Sequence, residues 1–235
     1  MAAVLFDWGG TLTPWASIDL VEQWRHYADV YDPAQAEELA AALRAGEDHA
    51  WAQARDHHRS ATLDEIFLGA GVDIASDHHQ DALAAYLSYW EPHTQLVPDA
   101  LDTITDLRRR GYKIGVLSNT LWPASFHREV FRRDGLLDHI DAAVYSSEIP
   151  WTKPHPKAFQ TLLDQLGVTD PERAVFVGDR LFDDIHGAKA VGMHAIYVPH
   201  SQIPTNQLGH TNGEPDAVID RLADLLDILD GLPVA

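Results

Sequence analysis

Ala3-Val4-Leu5-Phe6-Asp7-Trp8-Gly9-Gly10-Thr11 is the stretch on which the fold turns. Its first four residues are apolar and the run stops at a carboxylate. A short, continuous apolar run reads as a strand covered on both faces. The next such run is Lys113-Ile114-Gly115-Val116-Leu117-Ser118, far downstream, and the pattern between the two is almost wholly helical. Ser17 predicts the cap of a helix running to Tyr31. Asp32-Pro33 pairs a capping residue with a proline at the first helical position and predicts a second helix, carrying Leu39 and Leu43 and breaking near Gly46. Thr62 begins another helix that stops at Gly69 or Gly71. Residues 77–90 place Leu83, Tyr86, Leu87 and Trp90 at helical spacing. Pro98 then opens a helix ending at Arg108-Arg109-Arg110-Gly111, basic where the helix dipole favours cations.

Beyond that point strands and helices alternate. Strands are predicted at 113–118, 142–145, 174–178 and 194–198, and helices near 122–134, 156–166 and 183–191. A short edge strand at Ala217-Val218 and a helix over 219–230 close the chain, after a polar loop at 200–216. Apolar strands alternating with helices predict a parallel sheet with both faces covered. The expected architecture is an α/β core made of residues 1–14 and 96–235, with a helical insertion over 15–95 placed directly after the first strand.

The composition narrows the chemistry. A chain of 235 residues suits one large domain or a domain carrying an insertion. It has no cysteine, so disulfides and thiolate chemistry are excluded, and any metal is held by oxygen or nitrogen. The N-terminus lacks a signal-peptide pattern, and no stretch approaches the roughly 20 apolar residues of a membrane span, so a soluble cytoplasmic protein is expected. The net charge of −19 repels nucleic acid and anionic membranes. It repels phosphorylated molecules too, so a phosphate site in this chain needs a local positive charge from a metal, a lysine or backbone N–H groups.

In open parallel sheets, ligands bind beyond the carboxyl ends of the strands. The residues expected there are Asp7, Ser118-Asn119 and Gly178-Asp179. Acids, a hydroxyl and glycines at successive strand ends serve a site better than a core. Four segments carry a family resemblance. Asp7-Trp8-Gly9-Gly10-Thr11 resembles the first motif of the haloacid-dehalogenase superfamily. Ser118-Asn119 is similar to its second, and Lys153-Pro154-His155-Pro156 to its third. Gly178-Asp179, with Asp183-Asp184 and the following Ile185-His186-Gly187-Ala188, resembles its fourth. All four stand in family order and span nearly the whole chain. The resemblance implies a Rossmann-like parallel-sheet core with an all-helical cap domain inserted between the first two motifs, and hydrolysis of a small phosphorylated substrate.

The same resemblance implies roles. Asp7 is the nucleophile, and carboxylates do form aspartyl-phosphate intermediates. Ser118, the backbone N–H at Asn119 and Lys153 clamp the phosphate, matching charge spread over its oxygens. Lys153 is one of only four lysines. Asp7, Asp179, Asp184 and the carbonyl of Gly9 bind Mg²⁺, with Asp184 often in a supporting place. Hard oxygen donors suit that ion. Thr11 orders the loop after Asp7, and Trp15, at the expected hinge, faces the substrate. Asp183 reads equally as a solvated acid in a first helical turn.

One position departs from the pattern. Phosphatases of this superfamily usually carry a second Asp two residues after the nucleophile, which protonates the leaving group; here it is Gly9. General acid–base catalysis is worth about 10²–10⁴-fold, so the loss matters. Three outcomes remain open: a leaving group good enough to need no proton, as in an aryl, acyl or anomeric phosphate; a proton from the cap; or weak or absent activity, as in a phospho-ligand or partner-binding protein. Dehalogenase-type members carry Tyr at that place and use no metal, which fits poorly with the acidic fourth motif. Phosphonatase-type members match the local motif but use a cap lysine, and no lysine precedes Lys113. The cap holds His26, His49, His57, His58, His78, His79 and His93, any of which titrates near neutrality, without one standing out. Trp24, Trp51, Tyr86 and Trp90 read as cap core.

Overall fold

The computed structural model describes residues 1–199 and 210–231. Its centre is a six-stranded parallel sheet. The strands are β1 (Ala3–Phe6), β2 (Lys113–Ser118), β3 (Ala142–Tyr145), β4 (Ala174–Gly178), β5 (His194–Tyr197) and β6 (Ala217–Val218), in the order β3-β2-β1-β4-β5-β6. β1 pairs with β2 on one side, Val4 opposite Ile114, and with β4 on the other, Val4 opposite Val175. Side chains alternate across a strand. Val4, Phe6, Val175 and Val177 therefore enter one apolar layer, and Ala3, Leu5, Ala174 and Phe176 the other.

The second layer is covered by α7 (Pro156–Leu166), through Phe159, Leu162 and Leu163, and by α8 (Gly187–Ala190). The first is covered by α5 (Ala100–Arg109), α6 (Ala124–Arg133) and the short α9 (Leu225–Ile228). The same apolar layer continues without a break into four helices between β1 and α5. These are α1 (Leu20–Tyr31), α2 (Ala36–His57), α3 (Leu63–Gly69) and α4 (Asp77–Trp90). Aromatic rings hold them together. Trp24 stacks on Tyr86 at 4.9 Å and meets Phe67 edge-on at 5.9 Å, while Tyr27 stacks on Phe67 at 4.6 Å. Among the described residues, no helix is long and apolar enough to cross a membrane.

Several boundaries differ from expectation, each for a local reason. Asp19, not Ser17, caps α1, its carboxylate accepting from the N–H groups of Val21 and Glu22. Asp32 caps only a turn, accepting from Ala34 N–H at 3.1 Å, and α2 begins at Ala36. α2 does not break at Gly46. A methyl group there would lie 3.2 Å from Ile66 Cγ2, so the glycine lets α3 approach an unbroken helix. Thr62 caps α3 in a reciprocal capping box with Glu65, as the sequence predicts. The segment expected as a helix over 183–191 winds instead as a π-helix at Leu181–His186 before α8. The closing helix is short, flanked by tighter turns. Of the expected loop at 200–216, residues 210–216 are irregular and the rest lie outside the described residues.

His127 on α6 is fully buried, stacks on Tyr145 at 4.3 Å and sets Nε2 3.2 Å from Thr120 Oγ1. Burial pushes its pKa down to about 3. The unfolded chain takes up this proton near 6.5 and the folded protein only near 3, so stability falls as pH drops through that window. The slope reaches about 1.4 kcal/mol per pH unit. His127→Phe should flatten this part of the acid sensitivity in urea titrations at about pH 7 and about pH 4.5. An equal loss in wild type and variant would refute the assignment.

Candidate active site

The sheet order reverses between β1 and β4, because β1 leads towards β2 and β4 towards β5 on the opposite side. At such a switch point the loops part and leave a crevice at the carboxyl ends. Asp7 and Asp179 stand there, one after each strand. The N–H of Asp7 still bonds the carbonyl of Val177 at 2.9 Å, so its place is fixed by the sheet. The chain then folds back tightly. The N–H groups of Thr11, Leu12 and Thr13 all donate to the Trp8 carbonyl, with Gly10 at φ +94°. Thr11 Oγ1 lies 3.5 Å from Asp179 Oδ1, which ties the loop after Asp7 to the end of β4.

Lys153 lies in the centre, buried. Its Nζ donates to Asp7 Oδ1 at 2.5 Å and to Asp184 Oδ1 at 2.6 Å. Burial alone would lower its pKa, but the Asp184 and Asp7 carboxylates outweigh it and hold the ammonium above the ordinary lysine range. The Asn119 side chain locks the lysine backbone, Oδ1 accepting from its N–H at 2.8 Å and Nδ2 donating to its carbonyl at 3.1 Å. Only the backbone N–H of Asn119 was singled out by sequence; the structure gives its amide the task of seating Lys153.

The π-helical turn delivers the remaining acids. Asp184 curls back so that its Oδ2 accepts from Arg180 N–H at 2.9 Å. A methyl group on Gly178 would collide with the Asp184 side chain, so the glycine at the end of β4 is what admits this carboxylate. Burial pushes Asp184 upward and Lys153 opposes that rise. Asp183 is half-buried on the wall of the same cavity, its carboxyl also raised by burial, rather than a solvated acid of a first helical turn. Asp7, Asp179 and Asp184 each offer a carboxylate oxygen, all within 4.8 Å of one another. This buried, all-oxygen set is of the kind that suits a hard divalent cation.

The cavity over these groups measures about 540 Å³. Ser118, Asn119, Gly9 and Trp15 line it, as do Asp7, Lys153 and Asp184. A Cβ on Gly9 would meet nothing within 4 Å, so the space beside Asp7 is open. From the helical insertion come Trp51, Tyr86 and Trp90, which therefore serve the cavity wall as well as the interior; Trp24 remains purely interior. Of the seven histidines in the insertion, only His93 lines the cavity, while His79 is buried with Nδ1 2.7 Å from Tyr27 OH. Sequence reading missed Arg180, whose guanidinium lies 4.8 Å from the Trp15 ring, and Glu47, a nearly buried carboxylate on the wall. Arg180 follows Asp179 directly and was legible from that place. Glu47 looks like any polar residue of an amphipathic helix.

Acids converging at the switch point of a parallel sheet, with one buried ammonium and an inserted helical unit above, define an α/β protein whose site lies at its strand ends. The chain belongs to the haloacid dehalogenase-like hydrolase family, whose model matches residues 1–192. It is similar to the glyceraldehyde 3-phosphate phosphatase of Methanopyrus kandleri, 32% identical over 171 residues, covering 71% of this chain and 70% of that protein. The protein of the same description from Methanothermobacter thermautotrophicus is 34% identical over 134 residues, covering 56% of this chain and 58% of the relative. Among solved structures, a HAD phosphatase from Thermococcus onnurineus aligns over 100% of both chains at 28% identity and a TM-score of 0.68.

Gly178→Ala should destabilise the protein by about 1–3 kcal/mol in urea titrations, the usual range for overpacking, and lower hydrolytic turnover by displacing Asp184. Unchanged stability and turnover would show that Asp184 does not depend on this close approach.

Proposed function

We propose that the protein is a Mg²⁺-dependent phosphomonoesterase acting on a small phosphorylated molecule in the cytoplasm, with Asp7 as nucleophile. The observation that carries this reading is the pairing at Asp7. Its carboxylate faces the cavity, is held by Lys153, and shares a compact oxygen cluster with Asp179 and Asp184. Three carboxylates gather about one ammonium in a buried place, an acid-rich setting that suits a divalent cation. Asp7, Asp179 and Asp184, with the Gly9 carbonyl, are the proposed ligands. When bound, the cation polarises the phosphoryl oxygens and offsets their repulsion from Asp7. The phosphatase names of the relatives support the same reading.

The chain's own residues then act as follows. Lys153, the Ser118 hydroxyl and the Asn119 N–H hold the phosphoryl oxygens. This is a preorganised clamp, so little reorganisation is needed as charge spreads in the transition state. Asp7 attacks phosphorus in line with the leaving oxygen. The resulting aspartyl-phosphate splits one hard displacement into two easier ones, and water releases phosphate in the second. Residues 15–95 form the cap, and residues 1–14 with 96–235 the catalytic core. Trp15 and the α2 and α4 side chains place the organic part of the substrate and exclude water.

Asp7→Asn should reduce phosphate release from an aryl phosphomonoester to background, and removal of Mg²⁺ by EDTA should do the same reversibly. Turnover that survives either change would overturn the scheme. Gly9→Asp, which enters open space, should raise kcat/KM on alkyl phosphates by about tenfold or more, within the range of a restored general acid. No gain would mean that another group already supplies the proton.

A further inference from the structure

Five of the seven tryptophans line the cavity over Asp7. Trp24, which does hold the insertion together, is not among them. The five form two sides. On one, Trp8 sits directly beside Asp7 in sequence and meets Trp122 edge-to-face at 5.7 Å and 70°. Trp122 meets Trp90 in the same manner at 4.9 Å and 76°, and its Nε1 donates to Tyr86 OH at 3.1 Å. Trp8 and Trp122 are 7% and 8% exposed, so this side is anchored in the interior and leads out to Trp90 on α4. On the other, Trp15 is backed by the Arg180 guanidinium, and Trp51 on α2 reaches the cavity while 39% exposed. An exposed indole costs apolar hydration that a substrate ring would relieve. Aromatic pairs add about 0.5–1.5 kcal/mol beyond their buried area.

A second observation concerns the leaving oxygen. Gly9 brings no carboxyl to protonate it, and the space where one would stand is open. Of the two carboxylates on the α2 wall, Glu47 is buried with Oε2 engaged by Gln23 Nε2 at 2.7 Å and Trp24 Nε1 at 2.8 Å, and Asp48 is exposed and bonded by Arg44 Nε at 3.1 Å. A group that departs as an anion suits this arrangement. A phenolic oxygen, with a pKa of about 10, leaves unprotonated far more readily than an alkoxide.

We propose that the substrate is a phosphomonoester of a flat aromatic alcohol, its ring received between the Trp8–Trp122–Trp90 side and Trp15 with Trp51. This rests on the phosphatase reading above. In the first step an Asp7 oxygen bonds to phosphorus, the bond from phosphorus to the aryl oxygen breaks, and its electron pair leaves on the phenolate. In the second, water attacks phosphorus and Asp7 departs as carboxylate. The proton from water is passed on, so that the products are the free phenol and inorganic phosphate.

The test separates recognition from chemistry. Binding of 1-naphthylmethylphosphonate and of n-hexylphosphonate, neither hydrolysable, is measured calorimetrically on the Asp7→Asn protein with Mg²⁺. Phosphate release from phenyl and cyclohexyl phosphate is measured on wild type. The naphthyl ligand should bind about tenfold more tightly than the hexyl one, the scale of one good ring contact. Trp51→Ala in the same background should reduce that preference to about threefold or less, and Trp51→Phe should restore it. Equal affinities, alongside Mg²⁺-dependent turnover that Asp7→Asn abolishes, would overturn the aromatic inference and leave the phosphatase reading standing. Selective naphthyl binding with no turnover of either ester would overturn the phosphatase reading and, with it, the proposed substrate.

Discussion

The structure depends on one buried ammonium. Lys153 is held between Asp7 and Asp184, which belong to loops after different strands and are brought together only by the sheet. A charge of this kind is tolerated in the interior only when paired and hydrogen-bonded, and breaking such a pair costs about 3–5 kcal/mol. The surrounding features secure that pairing. Asn119 seats the lysine backbone from both sides, Gly178 admits Asp184, and the turn after Asp7 is tied to Asp179 through Thr11. The result is a carboxylate whose position is set before any substrate arrives, which is what electrostatic preorganisation requires.

The helical insertion and the sheet share one apolar layer, and the aromatic run from Trp8 through Trp122 to Trp90 is where they meet at the cavity. This has two consequences. The insertion is placed over Asp7 by the same rings that would contact a substrate, so recognition and positioning are coupled. The wall is also stiff, because each ring is held edge-on by the next and Trp122 is tethered to Tyr86. The polar groups of the insertion at this wall are largely committed to one another. Glu47 accepts from Gln23 and Trp24, which keeps a nearly buried carboxylate satisfied.

Much of this was legible in the chain. Strand ends are readable because each apolar run stops at a polar residue, which puts Asp7, Ser118 and Asp179 at the carboxyl ends of β1, β2 and β4. Helix starts were readable where a cap is reciprocal, as at Thr62 and Glu65. Gly46 misled because a glycine signals a break only when nothing needs the space, and here Ile66 does. Asp32-Pro33 misled because the same carboxylate that caps a helix also caps a turn. The π-helix at Leu181–His186 leaves no mark in an apolar period, being set by the need to turn Asp184 back under Arg180.

The sequence by itself determined the parallel α/β core, the place of the insertion, and the identity of the acids and the lysine. Local periodicity and the order of the motifs carry all of these. Only the tertiary structure decided which groups touch. The Lys153 bridge, the Asn119 clamp, the Arg180–Trp15 contact and the indole wall join residues separated by long stretches of chain. Such distances close only when strand order, helix crossing and side-chain rotamers are fixed together. For the same reason Trp51 and Trp90, indistinguishable in sequence from the interior Trp24, are on the cavity wall.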